Sequence, residues 1–267
     1  MRMTMIKQLC TAVLLCVAVS PALAQSRDIG GKLADAPPGS LRLFVSGALR
    51  EPVLAVKDRL EQVTGRKLFA EVSESRNLQR EIEVGQPFEA ALLTTAVIKD
   101  LVAKGKIVAG SDLVIAEVRV GVSVRGDAPK LDIATPDGLK AAILGAQSVR
   151  RYYGVAASTP TLEKLFVGLD LEAATKDKMV HLGNGEIPQE APLAAGQYEL
   201  IINLISAIKP MPGWHYLGPI PEQFQIPVVH VAGVGADGDR AAGEKVMQFI
   251  KGPEFAAALK ASGVTGQ

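Results

Sequence analysis

The sequence predicts an α/β protein: two doubly wound lobes joined by two crossing hinge strands, with a ligand cleft between them. Three observations carry this. Short apolar runs alternate with helix-spaced segments from Leu41 to Ala103, the pattern of a parallel sheet wrapped on both faces. A β-rich run from Leu113 to Val124 is too long for one ordinary strand. A second long apolar run, Ile226–Val234, stands near the end. The chain therefore crosses twice between lobes, and its last helices return to the first. Such a hinge closes around a ligand.

In chain order, residues 25–40 are rich in Gly and Pro and read as a leader with little packing. Leu41–Val45 is a strand, and Glu51–Val63 a helix closed by Thr64-Gly65. Lys67–Val72 is the next strand. Ser75 caps a helix through Leu78 and Ile82 that Gly85 ends. Ala90–Leu93 is a strand and Val97–Ala103 a helix. In the second lobe, helices are predicted at Thr135–Leu144, Thr161–Gly168 and Gln189–Ala195. A loop spans Tyr152–Pro160, and strands fall at Val180–Leu182 and Glu199–Ile205. Glu244–Ile250 and Pro253–Ala261 are closing helices. The division is 41–116 for lobe 1, 117–225 for lobe 2 and 226–267 for the return to lobe 1.

The chain of 267 residues is 48% hydrophobic and 21% charged, which excludes disordered, collagenous and disulfide-scaffold classes. Its net charge of +1, four Tyr and one Trp leave no basic, base-stacking surface, so nucleic acid is not a partner. Residues 1–24 read as a signal peptide. Arg2 and Lys7 precede an apolar run of about 11 residues, and Pro21-Ala22-Leu23-Ala24 gives the small-x-small pattern for cleavage after Ala24. Cys10 and Cys16 leave with it, so no disulfide, thiol nucleophile or Cys-ligated metal is expected. Cys16 as a lipid acceptor lacks the small residues that such a site wants before it.

Catalytic patterns are sparse. No Gly-x-Ser-x-Gly elbow, phosphate-binding loop or metal-ligand spacing is present, and His181, His215 and His230 are scattered. His230, inside an apolar strand, reads as a core residue. The carboxylate pairs Glu71/Glu74 and Glu81/Glu83 read as solvated faces. More pointed are three strand ends that lead into helices through small hydroxyl or glycine residues: Ser46-Gly47-Ala48, Ser73-Glu74-Ser75 and Ser158-Thr159-Pro160-Thr161. Ligands of open α/β sheets sit beyond the carboxyl ends of the strands, where helix N-termini favour anions. Each hydroxyl, taken singly, equally serves as a helix cap.

Five stretches extend this reading: Leu43–Leu49, Ser75–Pro87, Asp132–Lys140, Gly185-Glu186-Ile187 with Ala194-Ala195-Gly196, and Tyr216–Pro221. In their order the chain resembles the periplasmic molybdate-binding proteins of ABC transporters and related solute-binding proteins, over nearly all of residues 41–265. The resemblance implies the type II periplasmic-binding-protein fold, a small anionic ligand, an inner-membrane ABC permease as partner, a monomer in the periplasm, and neither cofactor nor catalysis. It places ligand donors at Ser75, at Ala48 with Ser46 two residues earlier, near Ser158 or Thr159, at the Ile187 N–H, and at Asn203 where the family has tyrosine. Ala48 and Asn203 lack the hydroxyls that hold a tetrahedral oxyanion. Arg76, directly after Ser75, is suited to pair with a carboxylate, with Arg50, Arg151 and Tyr153 weaker candidates of the same kind. A molybdate-like oxyanion and a small organic acid both remain open. So do an exported isomerase or hydrolase with Glu186 or His181 as base, and a sensor subunit.

Overall fold

The computed structural model describes residues 29–152, 156–182 and 192–266, with Tyr152 described by its backbone alone. The chain starts with β1 (Leu41–Ser46), α1 (Arg50–Ala55), α2 (Lys57–Thr64), β2 (Leu68–Ser73), α3 (Ser75–Glu83), β3 (Ala90–Thr94), α4 (Thr95–Ala103) and β4 (Leu113–Val118). It continues as β5 (Val120–Gly126), α5 (Pro136–Gly145), β6 (Ser148–Tyr152), α6 (Thr159–Gly168), α7 (Glu172–Thr175), β7 (Met179–Leu182), β8 (Tyr198–Leu204), α8 (Ile205–Ile208) and β9 (His215–Pro219). It closes with β10 (Val228–Val234), α9 (Arg240–Ile250), α10 (Pro253–Ala261) and β11 (Thr265–Gly266).

Two sheets result, ordered β11-β4-β10-β3-β1-β2 and β7-β6-β8-β5-β9. In the first, β1 lies parallel to β2 and β3, and β10 runs antiparallel between β3 and β4. In the second, β6 lies parallel to β7 and β8, with β5 antiparallel to β8 and β9. The central strand β1 is buried on both faces: Leu41, Leu43, Phe44 and Val45 are all fully buried. Apart from the edge strand β11, the two sheets share one strand order and direction, so each is a doubly wound lobe.

The long run Leu113–Val124 is two strands in two sheets, broken at Arg119. The return runs from Pro219 to Val228. The Gln225 side chain ties the two crossings together: it accepts from Val120 N–H at 3.1 Å and donates to the carbonyls of Val120 (2.8 Å) and Ile220 (3.2 Å). The last helices return to the first lobe, α10 against α1 and α9 against α2.

Local signals place most elements. Thr135 caps α5 by accepting from Gly138 N–H, with Pro136 behind it. Gly65 ends α2 at φ +73°, a conformation that glycine adopts without strain. The helix expected over Glu51–Val63 is two helices, separated at Val56, whose backbone (φ −108°, ψ 9°) is not helical. β6 was not foreseen; it ends at Tyr152, where the expected loop Tyr152–Pro160 begins. Both of its arginines are buried, Arg150 against Glu199 at 3.1 Å and Arg151 beside Glu172 at 3.6 Å with its guanidinium over Phe166. The leader is not loose either. Ile29 and Leu33 are buried, and Ala70 N–H donates to the Ile29 carbonyl at 2.7 Å. The helix expected at Gln189–Ala195 is not formed over 192–195, and its first part lies outside the described residues.

Candidate functional site

All three parallel strands of each lobe run toward the same edge, so their carboxyl ends line the space between the lobes. From lobe 1 come Ser46, Ser73 and Thr94, the last residues of β1, β2 and β3. From lobe 2 come the β6–α6 segment, with Ser158, and the β8–α8 junction, with Asn203 and Ser206. The lobes touch here. α8 packs against the turn Gly47–Leu49, and Ile205 N–H donates to the Arg119 carbonyl at 2.8 Å.

The hydroxyls do not cap their helices. Ser46 makes no side-chain cap bond to the turn that follows it, Ser158 makes none to α6, and the N-cap of α3 is Glu74, not Ser75. Ser75, 5% exposed, accepts from Thr94 N–H at 3.1 Å, which leaves its O–H free to donate. Ser46, 3% exposed, has its Oγ 3.1 Å from Nε2 of His230. Ser158 and Ser206 are buried, and neither hydroxyl oxygen has a hydrogen-bond partner among the described residues. Such atoms call for a ligand or water.

His230 is fully buried on β10, and burial pushes its pKa down to about 4, so the ring is neutral. With its single proton on Nε2 it donates to Ser46 and leaves the Ser46 O–H for an anion; with the proton on Nδ1 it accepts from the Ser46 O–H instead. The core placement expected for it is observed, and it also positions a cleft hydroxyl.

Glu74 sits half-buried between Ser73 and Ser75, within the influence of the backbone N–H of Ala157, next to Ser158. Burial raises its pKa and that N–H partly offsets the rise. Glu71 is buried too, holding Leu33 N–H at 2.9 Å and Lys32 Nζ at 2.7 Å. These two glutamates therefore do not form a solvated face. The signal for Glu74 was its place between two serines at a strand end.

Of the expected donors, Ser46, Ala48, Ser75, Ser158 and Asn203 are buried in these segments, Thr159 is half-buried at the start of α6, and Arg76 is exposed on the first turn of α3. Ile187, Glu186 and Tyr153 lie outside the described residues. His181 is exposed on the edge strand β7.

A family model described as bacterial extracellular solute-binding protein matches residues 41–265. The chain belongs to this family. Among solved structures this solute-binding protein is similar to the periplasmic molybdate-binding protein of Azotobacter vinelandii (TM-score 0.63, 17% identity, covering 85% of this chain and 99% of the other). It is also similar to a sulfate-binding protein of Mycobacterium tuberculosis (TM-score 0.58, 14% identity, 84% and 86% covered). At these identities the likeness shows the fold. By sequence it is 26% identical over 241 residues to an aconitate isomerase from Pseudomonas sp, with 87% of this chain and 90% of that protein covered. Among the described residues no helix of the solute-binding protein is long and apolar enough to cross a membrane.

Proposed function

We propose that this solute-binding protein is an exported receptor that captures a small organic acid with more than one carboxylate between its lobes and delivers it to an inner-membrane ABC permease. Residues 1–24 serve as its cleaved signal, and it works in the periplasm as a monomer. The supporting observation is the set of buried hydroxyls, Ser46, Ser75 and Ser158, in segments that join strands to helices and unused as caps. Neutral donors at helix starts bind anions without burying a counter-charge.

The choice of organic acid over a tetrahedral oxyanion rests on Glu74. A compact dianion closed against that carboxylate is repelled at short range, whereas an extended acid can place its carboxylates on the hydroxyls and leave carbon facing Glu74. Ala48 and Asn203 weaken the oxyanion further, and Arg76 at the rim is suited to a distal carboxylate. The relative named aconitate isomerase acts on a tricarboxylic acid, the same class.

A thermal-shift panel tests this: trans-aconitate, cis-aconitate, citrate and shorter dicarboxylates against molybdate, tungstate, sulfate and phosphate. A ligand present at about 100 times its Kd adds about 2.7 kcal/mol of stability. A shift with tricarboxylates and none with oxyanions is the expected result. A shift with molybdate or tungstate alone refutes the organic-acid reading.

A further inference from the structure

We propose that lobe 1 carries a second ligand site, away from the cleft, that takes the carboxylate of a small organic acid with a short apolar chain. The site stands independently of what the cleft binds.

It is a cavity of about 290 Å³ at the far end of the first sheet. Ser40 and Arg42 stand at the amino end of β1, Arg66 just before β2, and Gln86 just before β3. Ser46, Ser73 and Thr94 close the carboxyl ends of the same three strands. A six-residue strand at about 3.3 Å per residue puts roughly 20 Å between this cavity and the cleft.

One wall of the cavity is polar, and its central group is Arg66. The Arg66 Nε donates to the Gly39 carbonyl at 3.1 Å, but its Nη1 is buried and makes no hydrogen bond among the described residues. The two carboxylates near Nη1 stay at 3.4 Å (Asp239) and 3.7 Å (Glu89), and both are engaged elsewhere. Glu89, wholly buried, accepts from the backbone N–H of Arg42 at 2.6 Å and from its Nη2 at 2.7 Å. Asp239 caps α9 by accepting from Ala242 N–H at 3.1 Å, and its side chain is about half exposed to water. Glu89 thus neutralises one of two guanidiniums, and the second has only a distant, hydrated counter-ion. A buried donor on a planar, permanently charged fork calls for an oxyanion, and a carboxylate matches that fork best.

The facing wall is apolar, made by Leu33, Ala36, Pro38 and Pro87. A phosphate or sulfate gains nothing from such a wall, whereas a short alkyl chain buries its methylenes there. The wall is also formed in advance. Pro37 and Pro38 restrict the loop, and Ser40 N–H donates to the Pro37 carbonyl at 3.1 Å, so little chain ordering is left for binding to supply.

Backbone amide NMR spectra of the protein, titrated with butyrate, acetate, phosphate and chloride at matched ionic strength, test this. The expected result is a saturable shift of the Gly39, Ser40 and Arg66 amides with butyrate. Acetate binds about tenfold more weakly for want of two methylenes, and phosphate moves these amides no more than chloride does. Arg66→Gln lowers butyrate affinity about tenfold or more. Shifts confined to the cleft amides of Ser46, Ser75 and Asn203 overturn the proposal, as do equal, unsaturated shifts with every salt. Phosphate binding as tightly as butyrate overturns the carboxylate assignment, and unchanged butyrate affinity in Arg66→Gln overturns the role of Arg66. If Arg66→Gln does not fold, Arg66→Lys keeps the charge without the fork, and wild-type affinity in that variant overturns the proposal.

Discussion

Substituting His230 by Gln tests whether a buried, neutral imidazole both supports the first lobe and aims Ser46. The ring is fully buried and its pKa lies at about 4, against an ordinary 6.5. A base whose folded pKa lies below its unfolded one takes up a proton on unfolding, so its stabilising effect is complete above about pH 6.5 and drains as pH falls toward 4. Between pH 8 and pH 5 this linkage costs about 2 kcal/mol, at 1.36 kcal/mol per pKa unit. For a chain of this size that is about 4–8 °C in Tm. Glu74, whose carboxyl is raised by burial, moves the other way and gains stability as pH falls, so the raw wild-type profile mixes the two. The difference between wild type and His230→Gln cancels Glu74 and isolates the imidazole. At pH 8 the variant is less stable by about 1–3 kcal/mol, for a disturbed buried contact and a lost partner for Ser46. By pH 5 that gap closes by about 2 kcal/mol. Thermal and urea melts at pH 8, 6.5 and 5 measure it, and parallel pH profiles for the two proteins refute the reasoning.

Three further outcomes follow from single side chains. Ser75→Ala removes a donor to the ligand and leaves Thr94 N–H without its acceptor, so tricarboxylate affinity falls about 10- to 100-fold by calorimetry. Glu61 is pushed up by burial but held down to about 2 by Lys67 (2.6 Å), Lys57 (3.0 Å) and Leu68 N–H (3.1 Å). Its contribution is present above about pH 4.5 and lost toward pH 2. Discounted for its exposed lysines, Glu61→Gln costs about 1–2 kcal/mol in urea melts at pH 7, and the cost shrinks at pH 3. Gly121→Ala sets a Cβ 2.8 Å from the Gly218 carbonyl and 2.9 Å from both Ile205 and Tyr216, which lowers stability by about 1–3 kcal/mol in thermal melts.

What was legible in the sequence was whatever a local pattern dictates. The Leu113–Val124 run exceeds a single strand, so a crossing within it could be read though not its place at Arg119, and the Thr135-Pro136 start and the Gly65 stop are written in residue type. The three hydroxyl-bearing strand ends were visible for the same reason. What escaped depends on partners far along the chain. β6 was hidden because Arg150 and Arg151 look like surface until Glu199 and Glu172 pair with them. His230 and Ser46 are 184 residues apart, so the orienting bond has no local signature. Glu74 was read as a solvated carboxylate because the backbone N–H that acts on it, that of Ala157, lies far along the chain. The leader was misread since two apolar residues, Ile29 and Leu33, show no period yet fill the groove beside β2.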